Sequence, residues 1–454
     1  MKKLFGTDGV RGVANTGLSP ELAFEIGKAG AYVLTKSATN APRILLAKDG
    51  RRSGDMLEAA LSAGLCSIGA KVYTAGVIPT PAVAHLIKKY KLDAGIMISA
   101  SHNPMEDNGI KFFNAEGFKL SDQLEEEIEE IVALKKELPR PTGVDVGIIE
   151  SCPNAIDDYV KFVMGTVPQL KLEGMKIALD CANGATSSVA PIVFEKLGAN
   201  VHVLHNSPNG ININANCGST HMQSLADYVV ANGMDLGLAF DGDGDRMLAV
   251  DENGAIIDGD IIMAICGLSM KESNSLASDT IVATVMSNQG LEVFCRDNGI
   301  TLHRTAVGDR YVLKKMLEDG LALGGEQSGH LIFRQHNTTG DGILAGVQLL
   351  LAIHAKSSTA QKSLGQLSNL VEIFPQVLVN VRVAKERMSD FGTCEKIQSA
   401  RKELESSLTG DERLLVRTSG TEPLVRVMLE GPDYERISSL ANGLASVIKE
   451  SLGG

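Results

Sequence analysis

Three aspartates at alternate positions are the clearest chemical signal in the sequence. The segment LGLAFDGDGDRMLAV (residues 236 to 250) places Asp241, Asp243 and Asp245 between two apolar runs, with glycine between them. Alternate side chains of an extended chain share one face, and glycine lets the backbone curve so that the carboxylates converge. Close carboxylates repel one another unless a cation lies between them, and oxygen ligands favour a hard ion. We therefore predict a divalent-metal site for Mg²⁺, before Ca²⁺ or Mn²⁺.

An EF-hand loop is the competing interpretation of this segment. If Asp241 is the first position, Glu252 is the twelfth, as that loop requires. The sixth position needs glycine for a sharp turn and is Arg246 here, and the flanking runs are typical of strands rather than helices. The EF-hand is therefore the weaker interpretation.

A serine follows another short apolar run. GIMISASHNPMEDNGIKFF (residues 95 to 113) predicts a buried strand that ends in a loop carrying Ser101 and His102. A Ser-His hydrolase would need the imidazole beside the hydroxyl, but adjacent side chains of an extended chain point to opposite sides. We therefore do not expect His102 to act as a base for Ser101, and the hydroxyl needs another use.

Two further segments suit a phosphate and a sugar. RTSGTEPLVRV (417 to 427) combines hydroxyls, backbone N–H groups and two arginines, which suit a dianionic phosphate, although a solvated turn fits equally well. In GGEQSGHLIF (324 to 333), a carboxylate, a hydroxyl and an imidazole alternate before a strand, and the first two suit vicinal sugar hydroxyls. Weaker signals are RTAVGDRYV (304 to 312), with Gly308 and Asp309, and FGTDGVRG (5 to 12), with Arg11.

These segments need a scaffold, and one pattern recurs. A β-branched strand, a glycine-containing turn, an amphipathic helix and a second strand begin at residues 43, 176 and 280. Such βαβ units have parallel strands and right-handed crossovers. After the third unit the pattern ends, which predicts a smaller α+β domain. We predict an α/β fold of three related mixed α/β domains and a smaller C-terminal α+β domain around a central cleft. The predicted limits are 1–149, 150–254, 255–366 and 367–454.

Composition narrows the function. A net charge of −12 over 454 residues argues against a general nucleic-acid binder. The seven cysteines are scattered without a CxxC pair, which indicates free thiols and no zinc site of cysteine type. The apolar run at 343 to 355 is too short to span a bilayer, and the first residues lack the apolar stretch of a signal peptide. We expect a cytoplasmic protein without nucleic-acid or membrane partners.

Taken together, four segments resemble the α-D-phosphohexomutase superfamily. ASHNP resembles its phosphoserine loop, DGDGDR its magnesium loop, GEQSGH its sugar-binding loop and RTSGTEPLVRV its phosphate-binding loop, in the family's order. FGTDGVRG and PNGININANCGSTH (208 to 221) are more similar to members that act on glucosamine phosphates. The resemblance implies interconversion of glucosamine 6-phosphate and glucosamine 1-phosphate, which feeds UDP-N-acetylglucosamine and cell-wall precursor synthesis. A phosphomannomutase or phosphoglucomutase is the alternative.

The resemblance also implies a cycle. Ser101 would carry the phosphoryl group as phosphoserine, with one of its oxygens joining the three aspartates around Mg²⁺. Transfer to the sugar phosphate would give glucosamine 1,6-bisphosphate, an intermediate and activator that turns in the cleft and returns its other phosphate. The expected partners are a hexosamine phosphate and an activating phosphoryl donor, either a bisphosphate or a kinase. The oligomeric state stays open, a homodimer included.

The resemblance also implies roles for further residues of this sequence. Lys111 matches a family lysine and is the first choice for general acid or base, with His330 the second. Arg11 and Arg246 match charge-neutralising arginines, and His102 matches a hydrogen-bonding histidine. The sugar-binding set is Glu326, Ser328, Gly308 and Asp309. The phosphate-binding set is Arg417, Ser419, Gly420, Thr421 and Arg426.

Two other functional classes remain open. A Mg²⁺-dependent phosphatase also needs clustered aspartates and a phosphate-binding turn, and it would release inorganic phosphate without forming the isomer. A sugar-phosphate sensor with a dead site would have no activity, but the intact Ser101 and the three aspartates argue against it.

Overall fold

The computed structural model describes residues 4–6, 8–34, 41–357, 363–418 and 423–453. Within these ranges, four β-sheets with flanking helices follow one another along the chain. This arrangement confirms the predicted fold class.

The first sheet has the strand order β1-β2-β6-β5-β3-β4-β7. Its strands are β1 (Phe5–Gly6), β2 (Gly9–Val13), β3 (Arg43–Lys48), β4 (Lys71–Val77), β5 (Ala94–Ile98), β6 (Asp107–Asn114) and β7 (Ile149–Ser151). Its helices are α1 (Pro20–Leu34), α2 (Gly54–Cys66), α3 (Thr80–Tyr90) and α4 (Asp122–Ala133). Because β3 and β5 are parallel and Lys48 pairs with Ile98, the loops after both strands leave the sheet side by side.

The second sheet contributes the three aspartates. It consists of β8 (Lys176–Asp180), β9 (Asn200–Leu204), β10 (Leu236–Phe240), β11 (Met247–Asp251) and β12 (Ile256–Ile257), in the order β12-β11-β10-β8-β9. Its helices are α5 (Ala155–Gly165), α6 (Ala190–Lys196) and α7 (Gln223–Asn232). Since β10 and β11 are antiparallel neighbours, the aspartates lie in the connection of a hairpin.

The third and fourth sheets complete the chain. The strand order of the third sheet is β14 (Thr301–Thr305), β13 (Thr280–Thr284), β15 (Leu323–Gly325) and β16 (Leu331–Phe333). Its helices are α8 (Gly259–Glu272), α9 (Gln289–Asp297), α10 (Asp309–Glu318), α11 (Gly342–Ser357) and α12 (Leu364–Ser368). The fourth sheet is antiparallel, with the strand order β17 (Gln376–Arg382), β19 (Leu424–Glu430) and β18 (Arg413–Thr418). Its helices are α13 (Glu395–Ser407) and α14 (Tyr434–Leu452). Among the described helices, none has the length and apolar character needed to cross a bilayer.

All three predicted βαβ units are present. In β3–α2–β4, β8–α6–β9 and β13–α9–β14 the two strands pair in parallel. The domain limits remain a prediction. The limit at 149/150 falls inside β7, which pairs with β4, and the limit at 254/255 precedes β12, which pairs with β11.

A shared core joins the first three domains. One cluster of buried apolar side chains runs through their sheets, whereas the fourth domain packs its own. At the junction, Tyr159 Oη donates to Asp341 Oδ1 at 2.7 Å. Asn337 Nδ2 donates to Asp341 Oδ2 at 3.0 Å and to the Pro81 carbonyl at 3.2 Å. A buried polar network of this kind favours one relative arrangement of the three domains.

Candidate active site

Ser101 lies just beyond β5 and is almost fully buried, with 1% of its surface exposed. Its hydroxyl donates to Asp241 Oδ2 at 2.5 Å, across the boundary between the first two domains. Its backbone has a φ of 54°, in the left-handed region. His102 Nδ1 therefore lies only 3.4 Å from the hydroxyl. The expectation that the two side chains point to opposite sides was wrong, because it assumed an extended chain at Ser101.

The three aspartates of the β10–β11 hairpin converge as predicted. They are buried, and one carboxylate oxygen from each lies within 4.8 Å of the others. Burial, and then repulsion from Asp245 and Asp243, raise the pKa of Asp241 well above its usual range. Asp243 Oδ1 and Asp245 Oδ1 are buried and have no hydrogen-bond partner among the described residues. Unsatisfied buried carboxylate oxygens are costly, so this donor set fits a hard divalent cation such as Mg²⁺.

Lys111, on β6, is buried behind the aspartates. Its Nζ lies 2.8 Å from Asp243 Oδ2, 3.0 Å from Asp8 Oδ2 and 3.7 Å from Asp245 Oδ2. Burial lowers the pKa of Lys111, but the attraction of these carboxylates outweighs it and raises the pKa above its ordinary value. In this arrangement the lysine is a cation that offsets the charge of the aspartates.

A cavity of about 690 Å³ opens beside Asp245. It brings together predicted residues from the first three domains: Arg11, His102, Arg246, Gly308, Asp309, Glu326, Ser328 and His330. Ser101, Lys111, Asp241 and Asp243 lie behind this lining rather than in it. Glu326 Oε1 accepts a hydrogen bond from the Gly308 backbone at 3.1 Å, which connects two of the predicted sugar-binding loops.

Two charged residues of this cavity were missed from the sequence. Lys119 Nζ lies 2.6 Å from Asp8 Oδ1 and 2.6 Å from Asp309 Oδ2. Burial acts to raise the pKa of Asp8, but Lys111, Lys119 and Arg11 hold it well below its usual range. Asp8 belongs to the FGTDGVRG segment and was detectable there, whereas no local pattern marks Lys119.

His330 is held from two sides. The Gly340 backbone N–H donates to its Nε2 at 3.1 Å, and its Nδ1 lies 3.7 Å from Asp245 Oδ2. Burial lowers the pKa of His330, but Asp245 and then Asp309 raise it above its ordinary value. The Gly340 contact requires an unprotonated Nε2, so the geometry favours the tautomer with hydrogen on Nδ1. The ring gains a second proton only by giving up that contact.

The fourth domain presents two arginines side by side. Arg417 on β18 pairs directly with Arg426 on β19. Among the described residues no carboxylate forms an ion pair with either, and Arg426 Nε is buried without a hydrogen-bond partner. Like charges directly opposite each other in a sheet are destabilising, so the pair suits a bound anion. Ser419, Gly420 and Thr421 of the predicted phosphate-binding set lie outside the described residues.

Comparison with known proteins agrees with this layout. Residues 2–138, 157–254 and 258–374 match α/β/α domains I, II and III of the phosphoglucomutase/phosphomannomutase family, and residues 378–447 match its C-terminal domain. The chain therefore belongs to the phosphoglucomutase/phosphomannomutase family. It is a mutase, an enzyme of the isomerase class.

Relatives of similar length have a more specific name. The phosphoglucosamine mutase of Acetivibrio thermocellus is 54% identical over 454 residues, with 100% of each chain covered. That of Ruminiclostridium cellulolyticum is 54% identical over 453 residues, again with 100% of each covered.

Solved structures show the same fold. A phosphoglucomutase/phosphomannomutase family protein from Burkholderia thailandensis superposes with a TM-score of 0.81 at 24% identity, covering 99% of this chain and 98% of its own. An N-acetylphosphoglucosamine mutase from Aspergillus fumigatus, in complex with GlcNAc-6P and magnesium, gives a TM-score of 0.66 at 16% identity, covering 99% and 96%. At such identities the likeness concerns the fold alone.

Proposed function

We propose that this protein interconverts glucosamine 6-phosphate and glucosamine 1-phosphate, with Ser101 as the phosphoryl carrier. The observation that carries the proposal is the buried Ser101 hydroxyl, 2.5 Å from a three-aspartate cluster that fits Mg²⁺. The cluster adjoins a cavity lined by groups that suit a sugar. Relatives named for this activity match the whole chain.

Asp241, Asp243 and Asp245 would hold Mg²⁺, with an oxygen of the phosphorylated Ser101 as a further ligand. When bound, the ion withdraws negative charge from the phosphoryl group. Arg11 and Arg246 line the same cavity and supply further positive charge. His102 Nδ1 lies within hydrogen-bonding distance of the Ser101 hydroxyl.

The transfer itself exchanges one P–O bond for another. The bond from phosphorus to Ser101 Oγ breaks as the bond to a sugar hydroxyl oxygen forms. The proton of that hydroxyl passes to a base, and Ser101 Oγ gains a proton. We place the proton transfer at Nε2 of His330, because the ring lines the cavity and Nε2 is the nitrogen that carries no hydrogen while it accepts from Gly340. Uptake of the proton breaks that contact. The choice of His330 reverses the order predicted from the sequence, since Lys111 lies behind the lining and is held charged by three carboxylates.

The second half of the reaction needs a clamp for the other phosphate. The product of the first transfer would be glucosamine 1,6-bisphosphate, which turns in the cleft and returns its original phosphate to Ser101. The opposed Arg417 and Arg426 suit the phosphate that is not reacting, together with Ser419, Gly420 and Thr421. A first phosphoryl donor, a bisphosphate or a kinase, must charge Ser101.

The cavity offers a reason for preferring an amino sugar. Of the four carboxylates in its lining, Asp8 and Asp309 face Lys119 or Arg11, and Asp245 lies near Lys111. Glu326 forms no ion pair among the described residues and accepts a hydrogen bond from the Gly308 backbone. A carboxylate that forms no ion pair, although it interacts electrostatically with Arg246, suits the ammonium group of glucosamine. Ser328, Gly308 and Asp309 complete the proposed contacts to the sugar.

A substrate panel tests the proposal. Glucosamine 6-phosphate, glucose 6-phosphate and mannose 6-phosphate are each supplied with Mg²⁺ and the matching bisphosphate, and both isomers are quantified. We expect the glucosamine phosphate to turn over fastest and a phosphopeptide map to place one phosphoryl group on Ser101. Faster turnover of glucose or mannose phosphate would support the alternative mutases, and release of inorganic phosphate without isomer would support a phosphatase. Glu326→Gln should narrow the preference for the amino sugar.

A further inference from the structure

The segment PNGININANCGSTH (208 to 221), which is similar to that of enzymes acting on glucosamine phosphates, lies between the first two domains rather than in the cavity. None of its described residues lines the cavity beside Asp245. Instead, Asn214 reaches from the second domain into the first. Its Nδ2 donates to the Ser101 carbonyl at 2.9 Å and to the Asn103 carbonyl at 3.0 Å. The side chain is buried, so both hydrogen bonds are shielded from water.

The same two carbonyls are held from within the first domain. Arg51 Nη2 donates to the carbonyls of Ser101 and Asn103, at 2.9 Å each. Arg51 is itself fixed by Asp49, whose Oδ2 lies 2.9 Å from its Nε. The loop that carries the reactive serine therefore has one support from each domain.

Asn214 is itself held in place by hydrogen bonds within the second domain. Its backbone N–H donates to the Ala182 carbonyl at 2.9 Å. Asp180 accepts hydrogen bonds from the backbone N–H groups of Ala182 and Gly218, at 2.9 Å each. It therefore fixes Ala182, whose carbonyl holds the Asn214 backbone, and also Gly218, which follows Asn214 in the same loop. Together with His205 and Cys217, Asp180 resembles a metal-ligand set. However, its Oδ2 already accepts from Gly218 and lies 3.0 Å from His205 Nδ1, which makes it a loop anchor.

The space around this contact is tight. A Cβ atom added at Gly242, in the aspartate hairpin, would lie 2.6 Å from the Ser101 carbonyl oxygen and 2.8 Å from Asn214 Nδ2. The hairpin, Asn214 and the serine loop are thus in direct contact. Ser101 is tied to the second domain on both sides, through its Oγ to Asp241 and through its carbonyl to Asn214.

We infer that Asn214 is a positioning residue for phosphoryl transfer at Ser101. The inference rests on the proposed function. Asn214 keeps the serine loop in register with the aspartate hairpin of the other domain, while one P–O bond at Ser101 Oγ forms or breaks against the sugar oxygen. Because Asn214 does not touch the cavity, its loss should lower kcat and leave KM for the sugar phosphate unchanged. A small displacement of reacting atoms can cost a factor of about a hundred in rate.

The test compares Asn214→Ala with Asn216→Ala in the full-length protein with Mg²⁺. Asn216 is the matched control: it is the same residue type in the same loop, its φ is 55° against 58° for Asn214, and it is exposed. Its side chain forms no hydrogen bond to any described residue. Both variants lose the asparagine preference for a left-handed backbone, which should lower the melting temperature of each, and Asn214→Ala should lower it further because two buried hydrogen bonds are also lost. Only Asn214→Ala removes the contact to the serine loop.

For Asn214→Ala we expect kcat, and the rate at which glucosamine 1,6-bisphosphate phosphorylates Ser101, to fall about ten- to a hundredfold with KM within about twofold of wild type. Asn216→Ala should retain both rates. Equal rates in the two variants, or a loss confined to KM, would overturn the inference. If the wild-type protein shows no mutase activity on glucosamine phosphates, the proposed function fails instead.

Asn214→Asp keeps the test decisive if the alanine variant does not fold. It preserves the shape of the side chain and the tolerance for a left-handed backbone, but it turns a carboxylate oxygen toward the two carbonyls. We expect a loss of kcat at least as large as that of Asn214→Ala. Activity equal to that of Asn216→Ala would overturn the inference.

Discussion

Thr80 offers a direct test of how the aspartate cluster is held. Its hydroxyl donates to Asp243 Oδ2 at 2.6 Å, and its backbone N–H donates to the Asp243 carbonyl at 2.8 Å. Thr80→Val keeps the shape and the backbone contact but removes the hydroxyl. A hydrogen bond to a charged group contributes about 1.5–3 kcal/mol. The hydroxyl fixes the orientation of Asp243, and loss of a group that orients a metal ligand typically costs about ten- to a hundredfold in affinity, so we expect Mg²⁺ affinity to fall by that factor.

Two readouts measure this effect. One is the Mg²⁺ concentration that gives half of the maximal mutase rate, and the other is the rise in melting temperature on adding Mg²⁺, which does not depend on turnover. Thr280→Val is the matched control, because Thr280 is also buried and its hydroxyl donates to the Ser278 carbonyl at 2.8 Å, in the third domain. The reasoning is refuted if both variants need the same Mg²⁺ concentration as wild type.

Three further predictions concern other buried groups. Burial raises the pKa of Asp260 to about 7, so the folded protein keeps a proton that the unfolded chain releases near pH 4. This group's contribution should therefore lower melting temperatures as pH rises from about 4 to about 7 and add nothing further above that, and an equally steep fall in Asp260→Asn would contradict this. Tyr159→Phe removes the donor to Asp341 and should lower the free energy of unfolding by about 1–2 kcal/mol in a denaturant titration; an unchanged midpoint would count against it. Gly340→Ala would place a Cβ 2.5 Å from His330 Nε2 and so displace the ring. We expect kcat to fall with little loss of melting temperature. A kcat equal to that of wild type would show that catalysis does not need the ring in its present position.

The predictable parts of the site are those written in short stretches of sequence. Asp241, Asp243 and Asp245 span five residues, and their alternation with glycine between apolar runs was enough to predict a cluster. The βαβ units were visible for a similar reason, since each is a contiguous pattern. Local spacing did not reveal the left-handed backbone of Ser101, which brings His102 close to the hydroxyl.

The contacts that hold the site in place are long-range and were not predictable. Thr80 and Asp243 are 163 positions apart, and Lys119 lies 190 positions from Asp309. No local rule pairs such residues, because the fold decides which loops meet. Asn214 shows a related limit. Similarity to glucosamine-phosphate enzymes marked its segment as distinctive, but only the structure places it under the serine loop rather than in the cavity.

The positive φ of Ser101 has a consequence for protein engineering. A left-handed backbone costs a residue other than glycine about 1–2 kcal/mol, so Ser101→Gly should relieve the chain while removing the proposed phosphoryl carrier. Screens that select only for thermal tolerance or expression yield would then enrich inactive proteins at this position. A library built on this scaffold therefore needs a turnover readout in every round.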